Sequence, residues 1–264
     1  NEPYEFNIRN LQTGEIVNEY TDFSSPLTQV SRIDGALLTL QRNGRCRIIE
    51  DMTYQSVFDY MAKGVNKLLY VSSTLMIGAR SKLSRTGSAL FSINPKTGET
   101  VPMSDPSFIC YDLAMDEKQN VVYSLSIGRA GNESKTELKL HYGKRYERES
   151  ILFSLAEEDL GASIVVPPEG STVYTSLGYN NILVVEKGKA TSFPDCPHIP
   201  RKLYVTDKLL LSLNRDSSLS VWNRKAMRRL FDLYFFENLS WAAILADGGT
   251  IVHPSAEKYV LRQD

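Results

Sequence analysis

The feature that most constrains this chain is a recurring unit of strand, tight turn and strand. It reads Tyr4-Glu5-Phe6-Asn7-Ile8-Arg9-Asn10-Leu11-Gln12-Thr13-Gly14-Glu15-Ile16-Val17, then Ala89-Leu90-Phe91-Ser92-Ile93-Asn94-Pro95-Lys96-Thr97-Gly98-Glu99-Thr100-Val101. A looser, basic version follows at Leu219-Ser220-Val221-Trp222-Asn223-Arg224-Lys225-Ala226-Met227-Arg228-Arg229-Leu230. Strand pairs recurring with a period of roughly 40 residues are the sequence form of a β-propeller. The unit predicts a fold. It names neither a substrate nor a partner.

The 30 Lys and Arg nearly cancel the 31 Asp and Glu, and 42% of residues are hydrophobic, which describes a globular chain able to bury a core. Propellers run past about 200 residues as one unit, and no linker rich in Pro, Gly and Ser interrupts the pattern, so a single domain over residues 1–264 is expected. No apolar run approaches the roughly 20 residues of a membrane span. The chain enters a strand almost directly from Asn1, without an initiator Met, which suggests a processed protein or part of a longer one.

Runs of Val, Ile, Leu, Tyr and Phe, punctuated by Gly, Pro, Asn, Asp and Ser, predict an all-β fold of four-stranded antiparallel blades. The first blade reads Leu27 to Ile33, Ala36 to Gln41, Arg45 to Glu50 and Gln55 to Tyr60. The second reads Lys67 to Val71, Leu75 to Ala79, Ala89 to Asn94 and Thr100 to Met103. The third is Phe108 to Ala114, Val121 to Ile127, Glu137 to Tyr142 and Ser150 to Leu155. The fourth is Ser163 to Val166, Thr172 to Leu177, Ile182 to Glu186 and Ala190 to Phe193. The fifth is Lys202 to Val205, Leu209 to Leu213, Leu219 to Asn223 and Arg229 to Phe235.

Three strands remain at the C-terminal end, Ser240 to Leu245, Thr250 to His253 and Lys258 to Arg262, and two at the other, Glu5 to Asn10 and Glu15 to Tyr20. Propellers often close by completing the last blade with a strand from the opposite end, which removes exposed edges. That gives six blades. Glu5 to Asn10 and Lys258 to Arg262 compete for the same third position, so seven blades, with inner strands supplied from upstream, is the rival count.

Asp216-Ser217-Ser218-Leu219-Ser220-Val221-Trp222-Asn223 resembles the end of a WD40 repeat, where a turn Asp precedes a strand finishing in Trp-Asp; Asn223 replaces that last Asp. The other blades keep the hydrophobic rhythm and lack the signature residues, including the Gly-His pair of the family's hydrogen-bond tetrad. The resemblance, to a degenerate WD40-like propeller, covers nearly the whole chain. Trp222 is expected to pack between blades.

Motifs for chemistry are sparse. Cys46, Cys110 and Cys196 are odd in number, far apart and outside any Cys-x-x-Cys pair, and Cys46 and Cys110 fall in strands, where buried free thiols are expected. His141, His198 and His253 lack metal-site spacing. No nucleophile elbow, phosphate-cradling loop or Ser-x-x-Lys appears. Glu157-Glu158-Asp159 reads as a solvated turn, and the sequons at Asn132 and Asn238 matter only in a glycosylating compartment. No cofactor is called for. A cytoplasmic setting is favoured, without being fixed by the sequence.

Surface remains. In WD40-like propellers the loops between second and third strands and between blades form a face that commonly binds partners. The first set carries Arg42, Arg80, Lys82, Arg85, Arg129, Lys135 and Arg215, against Glu133 and Asp216. The second carries Asp22, Asp105, Glu157, Glu158, Asp159, Asp195 and Glu237. Mixed signs suit a protein or peptide, or an upstream domain of the same chain, better than a nucleic acid, which favours an uninterrupted basic track. A second candidate patch is Tyr142, Lys144, Arg145, Tyr146 and Arg148 near an outer turn. The expected function is a non-catalytic interaction scaffold. The alternative is an enzyme or small-ligand binder using the central channel, where only Asp112, Arg32 and Arg201 would supply charge.

Overall fold

Apolar runs become strands at nearly the predicted bounds. The computed structural model describes residues 4–10, 13–33, 35–51, 53–80, 89–103, 108–130, 133–155, 163–176, 181–193, 196–236 and 240–259. Lys82, Arg85, Asp105, Asn132, Glu157, Glu158, Asp159, Asp195, Glu237 and Asn238 lie outside the described residues.

The chain divides into two compact units, Asn1–Tyr111 and Asp112–Asp264. In the first, β1 (Tyr4–Arg9) and β2 (Ile16–Phe23) form a two-stranded sheet and, among the described residues, pair with no other strand. Blade one is β3 (Leu27–Ile33), β4 (Ala36–Gln41), β5 (Arg45–Glu50) and β6 (Ser56–Met61). Blade two is β7 (Val65–Ser72), β8 (Leu75–Arg80), β9 (Leu90–Ile93) and β10 (Thr100–Pro102). Pro102, with no N–H to give, ends an edge strand, where that loss costs nothing.

Blade three, whose first strand starts in the last residues of the first unit, is β11 (Phe108–Asp116), β12 (Val121–Ala130), β13 (Glu133–Tyr142) and β14 (Arg148–Leu155). Blade four is β15 (Ser163–Val165), β16 (Thr172–Ser176), β17 (Ile182–Glu186) and β18 (Lys189–Phe193). The last sheet has six strands in sequence order: β19 (Pro200–Val205), β20 (Leu209–Asn214), β21 (Leu219–Asn223), β22 (Arg228–Phe235), β23 (Trp241–Leu245) and β24 (Thr250–Val252).

These five propeller-type blades correct the expected count of six, and its rival of seven. The strands meant for a composite blade do other things. Phe236 N donates to Ser240 O at 2.8 Å, which turns the chain back so that Phe235 faces Trp241 and the sheet widens at its outer edge. Pro254–Tyr259 forms a 3-10 helix where the third strand was expected to begin, and residues 260–262 lie outside the described ones.

The recurring turn has one hydrogen-bond pattern. Asn10 N donates to Glu15 O and Gly14 N to Asn10 O; Asn94 N donates to Glu99 O and Gly98 N to Asn94 O. The Asn side chains accept from Thr13 N and Lys96 N, and each Thr hydroxyl accepts from the following Glu N–H. In the basic version Asn223 Oδ1 accepts from Ala226 N, and Met227 takes the glycine place at φ 47°.

Within each unit, blades pack through apolar faces. Leu38, Leu40, Ile48, Leu68, Met76, Phe91 and Ile93 form one core in the first, and Tyr20 and Phe23 of β2 cover Leu37 and Ile49. In the second, Leu125, Leu138, Ile164 and Val173 join blades three and four, and Tyr174, Phe193, Leu203, Leu210 and Trp222 join four and five. Trp222, 1% exposed and edge-on to Phe193, is the packing residue expected.

First strands are also stapled by polar side chains. Gln29 gives Nε2–H to Leu68 O at 2.7 Å and takes Leu68 N–H at 2.9 Å, and Asn66 Nδ2 donates to Tyr111 O at 2.9 Å. Asp112 Oδ2 accepts from Ile164 N at 3.0 Å, and Ser163 Oγ accepts from Leu203 N at 3.1 Å. Each staple satisfies buried backbone that the sheets alone leave unpaired.

Candidate functional site

The turn between β20 and β21 of the second unit carries Arg215 and Asp216 on a hydrogen-bonded frame. Buried Asn214 is its hub: Nδ2 donates to Ser218 Oγ and Ser220 Oγ, and Oδ1 accepts from Ser212 Oγ. Arg215 N donates to Ile199 O at 3.0 Å, and Ser217 sits at φ 68°. Arg215 and Asp216 therefore project, exposed, from a turn held at its base.

His198, in the connection before β19, brings Nδ1 to 2.9 Å from Asp216 Oδ2. Its Nε2 lies 3.1 Å from Tyr234 Oη and 3.6 Å from Asp232 Oδ2, and Arg229 pairs with Asp232. Partial burial works against the Asp216 carboxylate, but hydrogen bonds from Ser218 and the facing His198 hold it below the usual range. The absence of metal-site spacing around His198 says nothing of this contact with Asp216. A search for a His in the connection before the Asp turn, rather than for a Gly-His pair, would have found it.

The first unit repeats the device at the β4–β5 turn. Fully buried Gln41 accepts from Ser24 Oγ and Ser25 N, Arg42 N donates to Pro26 O at 2.8 Å, and Asn43 Nδ2 reaches Ser24 Oγ. Arg42 thus holds in blade one the place of Arg215 in blade five, exposed, with its N–H tied to the connection before the blade. Gly44 makes the turn possible: at φ +91° a Cβ there would sit 2.3 Å from Ala62 O.

The other predicted positions are scattered. Arg80 ends β8, half-buried, with its guanidinium 4.1 Å from the Phe91 ring centroid. Arg129 and Lys135 lie on neighbouring rungs of the β12–β13 hairpin. In the secondary patch Tyr142, Lys144, Arg145 and Arg148 are exposed, whereas Tyr146 is 2% exposed at φ 59° and donates through Oη to Asn120 Oδ1 at 2.6 Å. Tyr146 anchors that turn and is no part of its surface.

Asp112, 6% exposed, spends Oδ1 on Leu113 N and Oδ2 on Ile164 N and Ser163 Oγ. Arg32 is exposed and pairs with Asp51 at 2.5 Å, and Arg201 is exposed. In blade three His141 Nε2 lies 2.7 Å from Ser124 Oγ, with Glu149 4.0 Å from Nδ1. This has the composition of a nucleophilic triad, but Ser124 and His141 are each 1% exposed, so no substrate reaches the hydroxyl. Among the described residues no group of three His, Cys, Asp or Glu is placed to hold a metal ion.

No protein-family model matches the sequence, and no characterised protein does. By fold, 1105 chains of solved structures match. One is the crystal structure of the computationally designed Ika8 protein, with TM-score 0.51 and 15% identity over 86% of this chain and 82% of that one. At that identity the likeness concerns the fold alone, and a fold so widely shared does not choose a function. Among the described residues no helix is long and apolar enough to cross a membrane.

Proposed function

We propose that the protein is a non-catalytic interaction scaffold of degenerate WD40-like type, presenting the turns between second and third strands to a partner protein or to another domain of its own chain. One observation carries the reading: two blades, one in each unit, independently hold an exposed arginine, Arg42 or Arg215, on a turn braced by a buried amide side chain. Bracing lowers the ordering cost of binding, and arginine is enriched at interface hot spots. Arg80, Lys82 and Arg85 join Arg42 as candidate contacts of the first unit in this reading, Arg129 and Lys135 join Arg215 in the second, and Tyr142, Lys144, Arg145 and Arg148 form a lesser patch. Asp216 beside Arg215 breaks the basic track a nucleic acid prefers.

A channel enzyme finds less support, because the inner-strand carboxylate, Asp112, is committed to backbone and Ser163. The test is affinity capture with the full-length protein, with mass spectrometry of what is retained. A specific protein or an attached domain is expected, and retention of a small molecule alone would overturn the reading.

A further inference from the structure

Blades one and two of the first unit meet along a groove of about 270 Å³. It lies at the end of the strands away from Arg42, beside the β5–β6 and β9–β10 turns. Ile48, Phe58, Tyr70 and Pro95 form its apolar walls, Ser73 and backbone add polar surface, and Glu50 and Lys96 stand exposed at its margin. Phe58 and Tyr70 are only half-buried, so aromatic surface is left for an incoming group. Glu50 Oε2 accepts from Thr53 Oγ1 at 2.7 Å. The Lys96 ammonium has no ion-pair or hydrogen-bond partner among the described residues.

A second observation points to an extended ligand. β6, which carries Phe58, is the outer edge of its sheet; a bulge falls at Val57 and Phe58 O accepts from Ser56 Oγ, while its other outward backbone groups have no sheet partner among the described residues. Its sequence, Ser-Val-Phe-Asp-Tyr-Met, contains neither Lys nor Pro, the usual guards of an edge. Its one charge, Asp59, is neutralised by Arg45 at 2.5 Å, and Val57 and Met61 are 62% and 48% exposed. An edge so built is a template for strand addition.

We infer that β6 and the adjoining groove bind an extended segment of a partner protein, added as a fifth strand to blade one. Side chains of one strand face repeat every second residue. The segment therefore carries a large apolar residue for Phe58 and Tyr70, an acidic residue two places to one side for Lys96, and a basic residue two places to the other for Glu50. The site is independent of the Arg42 turn and stands or falls apart from it.

The probes are two acetylated, amidated peptides, Glu-Thr-Leu-Thr-Lys and Lys-Thr-Leu-Thr-Glu, which cover both strand directions, each with a Leu-to-Gly control. They are titrated into the ¹⁵N-labelled full chain. One peptide should shift the amide signals of Ser56–Met61 and Lys96, at least fivefold more weakly when Leu is Gly. It should also bind at least fivefold more weakly to Lys96→Glu, an exposed change that keeps the melting temperature. Absence of shifts on β6 with both peptides, equal binding of the Gly controls, or unaltered affinity in Lys96→Glu would each overturn the inference.

Discussion

Asp112 and Ser163 sit on the first strands of neighbouring blades, with Ser163 Oγ donating to Asp112 Oδ2 at 3.3 Å while accepting from Leu203 N at 3.1 Å. One hydroxyl therefore ties blade four to both of its neighbours in the second unit. Asp112 adds a bond from Ile164 N at 3.0 Å, so the pair replaces with side chains the pairing that first strands of separate sheets do not make.

Asp112→Ala should accordingly destabilise the protein by about 2–4 kcal/mol, because it strands buried N–H groups as well as removing bonds. Ser163→Ala should cost about 1–2 kcal/mol on the same grounds. Urea unfolding followed by fluorescence measures both. Equal midpoints for Asp112→Ala and the parent protein would show that the staple holds nothing.

Gly44 and Gly188 both have positive φ, yet only Gly44 faces an obstacle, Ala62 O at 2.3 Å from an added Cβ. Gly188→Ala should cost about 1 kcal/mol of backbone strain, and Gly44→Ala about 1–3 kcal/mol more, since the connection to blade two must move. Thermal melts of the two variants compare them directly.

Burial pushes the His141 imidazole down to about 4, with facing Glu149 opposing and Lys139 adding to the shift. In the unfolded chain it titrates near 6.5. The unfolded state therefore takes up the proton first. This contribution to stability is intact above about pH 6.5 and is lost as pH falls towards 4, to a total of roughly 3 kcal/mol. His141→Gln should flatten that part of the pH–stability curve. A curve of unchanged slope would contradict the buried neutral state.

Burial also raises the Cys46 thiol to about 12, and Cys46 and Cys110 are both buried, whereas Cys196 is partly exposed. At pH 8 a thiol-exchange reagent should modify Cys196 in the native protein and the other two only after denaturation. Rapid native labelling of Cys46 would contradict the placement of β5 in the core.

Much of the fold was legible because its information is local. Asn10, Asn94 and Asn223 each open a turn whose bonds follow from residues within six positions, and alternation marks the strands that turn joins. The blade count was less legible because it depends on edges. Nothing near Trp241 says that β23 will pair with β22 instead of founding a new sheet; only the short return from Phe236 to Ser240 does so. The candidate surface divides in the same way. Arg42 and Arg215 were found as turn arginines, but the bracing by Gln41 and Asn214 depends on buried amides that composition cannot distinguish from exposed ones. Tyr146 was misplaced because a tyrosine at positive φ, folded under its own turn, reads in sequence like one that points outward.

The central claim is that the braced arginine turns contact a partner. It is tested most directly by measuring the affinity of the captured partner for the parent protein, for Arg42→Glu and for Arg215→Glu by calorimetry at two salt concentrations. The account predicts at least a tenfold loss in one single variant, an unchanged melting temperature and a weaker dependence on salt. Parent-like affinity and salt dependence in both variants would contradict it.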